Sequence, residues 1–184
     1  GPVIVRNNIL VGNGYGGISA QDYGGRDLQQ KVWIVHNTIL ENSNSGINVS
    51  SWRPERGNVI AFNAILPSSG TPPIRPASPV GTIIGNKTCN GSYFVNSTSA
   101  PYDLWPSSNS PLLDGAGTGT EAWRPVDDFM GAARGGAADV GAFERTSFVF
   151  DHLVGAKNPR PPRLSWKSLP PSAPTNLRLV YQRK

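Results

Sequence analysis

Two segments of the chain carry aromatic, basic and acidic side chains in a similar order, and these residue types can bind and process sugars. The segments are residues 21–27, which read QDYGGRD, and residues 50–56, which read SSWRPER. The faces of Tyr23 and Trp52 could stack on the apolar C–H faces of a sugar ring, because both side chains are large and amphipathic. Arg26 and Arg53 could bind a uronate carboxylate in two-pronged geometry. These four residues are the predicted substrate-binding set.

The two segments fall side by side if the chain folds as a repeat. Aligning Gly17-Ile18 with Gly46-Ile47 places each residue of the first segment beside one residue of the second. The adjacent pairs in that register are Tyr23 with Trp52, Asp22 with Ser51, and Arg26 with Glu55. The candidate catalytic residues are therefore Arg53, Glu55, Asp22 and Arg26.

Two reactions on a polysaccharide are compatible with these side chains. β-Elimination from a uronate needs a neutralised substrate carboxylate and a base that removes the C5 proton. Hydrolysis needs two carboxylates roughly 5–9.5 Å apart, and the loop carboxylates are Asp22, Asp27 and Glu55. A non-catalytic interpretation stays open, in which the aromatic residues shield the flank of the fold and the charged residues form a solvated ion-pair cluster.

A repeated strand-like motif must position these loops. The motif appears as residues 3–18, VIVRNNILVGNGYGGI, then 33–47, WIVHNTILENSNSGI, then 59–66, VIAFNAIL, and more weakly as 82–88, TIIGNKT. Aligned asparagines stand at Asn7, Asn37, Asn63 and Asn86, with spacings of 30, 26 and 23 (37 − 7, 63 − 37, 86 − 63). The flanking β-branched runs favour strands, and the variable spacing suits coils whose loops differ in length.

These features predict an all-β fold, a right-handed parallel β-helix with about four coils. Aliphatic side chains would stack inside from coil to coil. At a sharp corner, each asparagine would adopt the left-handed conformation and bond through its amide to the asparagine of the next coil. Asn7, Asn37, Asn63 and Asn86 are thus assigned a structural role.

The pattern changes after residue 108, and the new pattern carries a family resemblance. Three motifs follow in order: Ser110-Pro111-Leu112-Leu113-Asp114, then Asp128 to Arg134 in DFMGAAR, then Asp139 to Glu144 in DVGAFE. In combination they resemble the closing segment of right-handed parallel β-helix repeat proteins of the pectate-lyase-like superfamily. With the asparagine repeats, the resemblance covers about residues 3–144.

The resemblance implies a function and a location. It implies the C-terminal portion of a secreted bacterial protein that binds or degrades polysaccharide, extracellular or on the cell surface, and it favours a uronate lyase over a glycoside hydrolase. Relatives of this kind sometimes use Ca²⁺, so a calcium ion in the parent enzyme fits the resemblance. The alternative is a non-catalytic adhesin or carbohydrate-binding module, because one fold serves many functions.

The closing segment also has two interpretations. Its acidic residues could supply oxygen ligands to a metal ion. The favoured interpretation is a cap over the last coil, with Arg134 paired to Asp128 or Asp139 and carboxylates accepting backbone N–H groups. Asp114, Asp128, Arg134 and Asp139 are therefore predicted to be structural, with no metal bound.

Composition sets the remaining expectations. The formal net charge is +5, but much of the excess lies after residue 144, so we expect no nucleic-acid surface. No run approaches the ~18 apolar residues of a membrane span, and the first residues lack the features of a signal peptide. We expect a monomer with three parts: coils over 1–108, the closing segment over 109–144, and a proline-rich basic tail over 145–184 that ends like the first strand of a fibronectin type III module.

Overall fold

The computed structural model describes residues 1–21, 24, 30–76, 80–145 and 153–154, and this part of the chain is nearly all β-structure. The first six strands are β1 (Val3–Arg6), β2 (Ile9–Val11), β3 (Ile18–Ser19), β4 (Val32–Val35), β5 (Thr38–Leu40) and β6 (Ile47–Val49). The next five are β7 (Val59–Ala61), β8 (Ala64–Leu66), β9 (Ile74–Pro76), β10 (Thr82–Ile84) and β11 (Lys87–Thr88). The last three are β12 (Phe94–Asn96), β13 (Tyr102–Pro106) and β14 (Leu153–Val154).

Helical structure is limited, over the described ranges, to two single 3₁₀ turns, Pro54–Arg56 and Gly91–Tyr93. Each turn contributes only three residues. None of the described helices is long and apolar enough to cross a membrane.

Three parallel sheets contain the first eleven strands. Sheet A has the order β1-β4-β7-β10, sheet B the order β2-β5-β8-β11, and sheet C the order β3-β6-β9. The chain passes through sheets A, B and C in turn and then returns to sheet A. Three consecutive strands, such as β1, β2 and β3, therefore form one layer, and neighbouring strands within a sheet come from successive layers. This arrangement of stacked parallel sheets is consistent with a β-solenoid. A fourth sheet, β12-β13-β14, is antiparallel.

The register between layers follows the sequence repeats. In sheet A, Val5 pairs with Ile34, Ile34 with Ile60, and Ile60 with Ile83. Because side chains alternate between the two faces of a strand, this register stacks the isoleucines in one column on the inner face. Successive layers differ in length, and the loops between the strands absorb the difference.

The inner column belongs to an aliphatic core between the sheets. Its fully buried isoleucines are Ile34, Ile39, Ile47, Ile60 and Ile65, each no more than 1% exposed. Burying a side chain of this size contributes about 1.5–3 kcal/mol. This core fixes which residue of each strand points inward.

In the middle layers, the outer faces of sheets A and B are also buried, which explains why β4, β5, β7 and β8 are nearly continuous apolar runs. Val35, Leu40 and Ala61 are completely inaccessible and belong to a second core with Leu104 and Phe143. The later part of the chain, from Cys89 to Phe143, supplies the other side of that core. Strands covered on both faces lose the polar alternation of a half-exposed sheet.

An asparagine ladder runs through the layers at the turn between sheets A and B. The amide nitrogen Nδ2 of Asn8 donates to Oδ1 of Asn37 at 2.9 Å, and that of Asn37 donates to Oδ1 of Asn63 at 2.9 Å. Asn63 continues the ladder to Asn86 at 2.8 Å. In each step the same Oδ1 also accepts the backbone N–H of the preceding asparagine.

Two details of the predicted corner are wrong. The first rung is Asn8, not Asn7, because the pairing of β1 with β4 brings Asn8 level with Asn37. The left-handed residue is also not the ladder asparagine but the residue before it: φ is 53° at Asn7, 51° at His36 and 53° at Phe62. In each turn, one left-handed residue changes the direction of the chain between sheets A and B. The asparagine that follows it directs its side-chain amide along the stack.

Candidate functional site

The two predicted loops begin side by side. Ile18 pairs with Ile47, which is the register predicted from the two Gly-Ile pairs. Just beyond these strands, the side chain Oε1 of Gln21 accepts hydrogen bonds from the Ser50 hydroxyl at 3.0 Å and the Ser51 backbone N–H at 3.1 Å. Four residues of the first loop, Asp22, Tyr23, Arg26 and Asp27, lie outside the described residues, so their predicted pairing stays a prediction.

Trp52 is not an exposed platform for sugars. Its side chain is only 2% exposed and belongs to the inner aliphatic core with Val49 and Val80. A large apolar ring gains more by filling the core than by lying on the surface, and the turn closed by the Trp52 N–H to Val49 carbonyl bond directs it inward. Neither face of the indole is open to a sugar ring in this arrangement.

Arg53 and Glu55 lie on the surface, where the loop after β6 forms the 3₁₀ turn Pro54–Arg56. The proline sets φ for the first position of the turn, and Gly57 ends it with a left-handed φ of 64°. A cation and a carboxylate thus stand close in sequence on a short, exposed turn beside sheet C.

Sheet C differs from sheets A and B in the character of its outer face. Its outward column consists of Ser19, Asn48 and Arg75, which pair in register across β3, β6 and β9. Ser19 and Arg75 are exposed, whereas Asn48 is buried between them and accepts the backbone N–H of Ser50. A polar column with an arginine at one end is a surface that can bind an anionic, hydroxyl-rich ligand.

Sequence analysis missed Arg75 because the residues around it do not have the pattern of a strand. The layer reads Ile74-Arg75-Pro76 where the preceding layer reads Ile47-Asn48-Val49. The prolines around it are typical of a loop and hide the alternation. Continuing the Gly46-Ile47 register by one further layer would have found it.

The closing segment lies along the side of the stack, and not over its end as the cap interpretation predicts. The Gly141 N–H donates to the Phe62 carbonyl at 2.9 Å, and the Ala142 N–H donates to the Thr38 hydroxyl at 2.9 Å. Asn7 donates through Nδ2 to the Asp127 carbonyl at 2.7 Å. The segment therefore contacts successive layers at the corner between sheets A and B. The end of the inner column remains open, since Ile83 is 43% exposed.

Arg134 is the centre of this contact. Its guanidinium lies 3.2 Å from Oε2 of Glu144 and donates to the carbonyls of Asp127 and Gly141 at 3.1 and 2.7 Å. It also donates to Oδ1 of Asn7 at 3.2 Å. The partner is therefore Glu144 and not the predicted Asp128 or Asp139, because those two aspartates bind backbone groups instead.

The aspartates of the closing segment accept backbone N–H groups, as predicted, and so shape its turns. Asp128 accepts from Met130, Ala132 and Glu144 at 2.8–2.9 Å, and Asp139 accepts from Asp114 and Arg145 at 2.7 Å. Burial nevertheless raises the pKa of both carboxyls. Across the described part of the chain, no group of three or more His, Cys, Asp or Glu side chains is placed to hold a metal ion.

An open pocket of about 690 Å³ lies beside this cluster, lined among others by Asp114, Asp139, Glu144 and Arg145. Burial raises the pKa of Glu144 to about 7, so this carboxyl can exchange a proton near neutral pH. Its Oε2, however, accepts the Asp139 N–H at 2.9 Å and faces Arg134. Through these two contacts, Glu144 holds the closing segment together.

His36 lies beneath the closing segment and is completely buried. Its Nδ1 donates to the Asp139 carbonyl at 3.1 Å, which leaves Nε2 as the unprotonated nitrogen. Burial, followed by the positive charge of Arg134, lowers its pKa to about 2. A neutral imidazole enclosed in this way is a packing residue and not a catalyst.

Comparison with known proteins identifies no relative: no family, no curated protein and no solved structure matches this chain.

Proposed function

We propose that this chain is part of a secreted, right-handed parallel β-helix protein that binds acidic polysaccharide along sheet C and the loop after β6. One observation carries the proposal: the outward residues of the middle layers of sheets A and B are apolar and packed against the later part of the chain, whereas the outward column of sheet C is polar and includes exposed Ser19 and Arg75. Exposed Arg53 follows on the adjoining loop. The assignment to a pectate-lyase-like protein with four coils rests on the closing motifs and on the layer-to-layer register of sheets A and B.

The chemistry of this flank suits a uronate polymer better than a neutral one. Guanidinium groups bind carboxylates with two parallel hydrogen bonds, while a serine hydroxyl can bond to sugar hydroxyls. Such contacts on a wet surface are individually weak, and a polymer gains by engaging several of them at once. Binding should therefore weaken as salt rises, because exposed charges are screened.

Retention on a polygalacturonate or alginate matrix tests the binding proposal. Arg75→Ala and Arg53→Ala should each elute at lower salt than the unsubstituted chain, and the double variant earlier still. Lys87→Ala is the matched control, because it removes one positive charge from sheet B and leaves sheet C intact. Unchanged elution of the double variant, or an equal loss in the control, would refute binding at this flank.

A uronate lyase is a second candidate, favoured by the exposed turn that carries both Arg53 and Glu55. In such a reaction the arginine would neutralise the substrate carboxylate and the glutamate would take the C5 proton, after which the glycosidic oxygen leaves and a C4=C5 double bond forms. Incubation with alginate, pectin or a glycosaminoglycan should then release products that absorb in the ultraviolet. Loss of that absorbance in Glu55→Gln, with polymer retention unchanged, would separate catalysis from binding; no product from any of the polymers would end the lyase proposal.

A further inference from the structure

The sequence contains four Asn-x-Ser/Thr motifs, which is the acceptor pattern for N-glycosylation. They are Asn48-Val49-Ser50, Asn86-Lys87-Thr88, Asn90-Gly91-Ser92 and Asn96-Ser97-Thr98. All four lie within the described part of the chain, so the fold shows which of these asparagines an enzyme can reach. An acceptor must be on the surface, and its amide nitrogen must be open, because the new bond to the sugar forms at that nitrogen.

Two of the four asparagines are held inside the layered stack. Asn48 lies in the middle of the sheet C column and is only 4% exposed. Asn86 is a rung of the asparagine ladder, and its Nδ2 donates to the carbonyls of Ile60 at 2.8 Å and Ile84 at 3.3 Å. A glycan on Asn48 would disrupt the packing of the column, and one on Asn86 would break the ladder. Neither asparagine is therefore an acceptor in the folded chain.

The other two asparagines follow sheet B in the chain, and their side chains form the same kind of turn. Oδ1 of Asn90 accepts hydrogen bonds from the Ser92 backbone N–H at 2.9 Å and the Ser92 hydroxyl at 2.6 Å. Oδ1 of Asn96 accepts from the backbone N–H and the hydroxyl of Thr98, both at 3.2 Å. In these Asx turns, the side-chain amide and the hydroxyl of the motif lie side by side.

The two turns differ at the amide nitrogen. Nδ2 of Asn96 donates to the carbonyls of Ser99 and Pro101, both at 3.1 Å, so the protein already holds it. Nδ2 of Asn90 donates to none of the residues that the structure describes, and Asn90 is exposed. Asn90 is also the N-cap of the 3₁₀ turn Gly91–Tyr93, which keeps the motif in a defined conformation on the surface. Of the four asparagines, Asn90 alone combines exposure with an open nitrogen.

We propose that Asn90 is an N-glycosylation site of this chain. The proposal rests on the secreted location included in the proposed function, because acceptor motifs of this kind are modified on secreted proteins. The donor is an oligosaccharide linked to a lipid diphosphate. Nδ2 of Asn90 forms a bond to the anomeric carbon of the first sugar and loses a proton, while the bond from that carbon to the diphosphate oxygen breaks and the lipid diphosphate leaves. The glycan is attached after β11 and leaves Arg53 and Arg75 beside sheet C unaltered.

Incubation of the purified full chain with an oligosaccharyltransferase and a lipid-linked oligosaccharide tests the proposal, and mass spectrometry of its peptides locates the glycan. We expect one glycan per chain, at Asn90. Ser92→Ala should abolish the modification, and Ser92→Thr should retain it, because threonine preserves the motif. Thr98→Ala is the matched control: it also removes an exposed hydroxyl that donates to an asparagine Oδ1, and the glycan at Asn90 should be unchanged.

A peptide of residues 82–100 distinguishes selection by the fold from selection by local sequence. It carries three of the four motifs without the layers, so it should be modified at Asn86 and Asn96 as well as at Asn90. The proposal is overturned if the full chain accepts no glycan, if the glycan lies on another asparagine, or if Ser92→Ala retains it. Modification of the peptide at Asn90 alone would overturn selection by the fold. Retention on polygalacturonate is measured separately, so failure of this site and failure of polysaccharide binding are distinguishable.

Discussion

The asparagine ladder and the Arg134 cluster are two buried polar arrays that lie close together and are built on different principles. The ladder is neutral and repeats, and each rung supplies the donors that the next rung accepts. The cluster is charged and occurs once, and it joins Glu144 of the closing segment to Asn7 of the first layer. Asn7 and Asn8 are adjacent in sequence, so a single dipeptide serves both arrays.

The difference in charge predicts how each array responds to a substitution. An amide ladder loses a few hydrogen bonds when one rung is removed, because no charge is left behind. A buried ion cluster loses far more, since removing the cation leaves carboxylates without compensation in a medium that solvates them poorly. The ladder therefore tolerates variation along its length, whereas the cluster depends on one residue.

The largest effect should follow from Arg134→Met. The substitution keeps much of the side-chain volume but removes the charge that faces Glu144, so we expect a loss of about 3–5 kcal/mol in the free energy of unfolding. Urea denaturation measures it. Arg75→Met is the control, since its exposed charge should matter by no more than about 0.5 kcal/mol. Equal losses in the two variants would show that the cluster stabilises nothing.

An interior rung should matter less than the cluster but more than an end rung. Asn63→Ala leaves the Asn37 N–H and the Ile34 carbonyl without their partner inside the stack, which costs about 2–3 kcal/mol. Asn8→Ala removes donors from a half-exposed layer that water reaches, so it should cost about 1 kcal/mol or less. Urea denaturation at a low protein concentration compares them. If Asn8→Ala lowers the free energy of unfolding as much as Asn63→Ala does, burial does not determine how much a ladder hydrogen bond stabilises the fold.

The ladder was largely predictable from the sequence and the cluster was not. Repetition reveals Asn37, Asn63 and Asn86, because the same local turn recurs in each layer. The first rung was misplaced because VIVRNN contains two asparagines and only the layer register distinguishes Asn8 from Asn7. Because the loops differ in length, the spacing between asparagines cannot distinguish two adjacent candidates.

The position of the closing segment depends on contacts distant in sequence. No local pattern connects Arg134 with Asn7 or Ala142 with Thr38, since each pair is more than half the chain apart. The exposure of Trp52 failed as a prediction for a related reason: an aromatic residue in a polar loop resembles a binding residue until the core it fills is known. Sequence periodicity thus specifies the layers, and the packing of non-repeating segments on them decides which surfaces remain open.

The pH dependence of stability that arises from His36 tests how tightly the closing segment covers the turn between sheets A and B. Its pKa is about 2 in the folded protein and near 6.5 when unfolded, so its contribution to stability is present above pH 6.5 and is lost as the pH falls below it. His36→Asn, which tolerates the left-handed turn, should flatten the acid limb by up to about 1.4 kcal/mol per pH unit. Urea denaturation at pH steps from 7 to 5 gives the slope. An unchanged slope would mean that water reaches His36 and that the segment opens readily.

Glu144→Gln should also change the pH dependence of stability, with a sign opposite to that of His36→Asn. The Glu144 carboxyl has a folded pKa of about 7, raised by burial from an ordinary value near 4.5. The folded state therefore holds a proton that the unfolded state has released, and stability from this group is present below pH 4.5 and lost as the pH rises through 7. The free energy of unfolding of the glutamine variant, minus that of the unsubstituted chain, should therefore rise as the pH increases from 5 to 7.5 in the same urea series. The surface variant Glu55→Gln should show no such rise, and a difference that falls for Glu144→Gln would mean that its bond to Arg134 outweighs its burial.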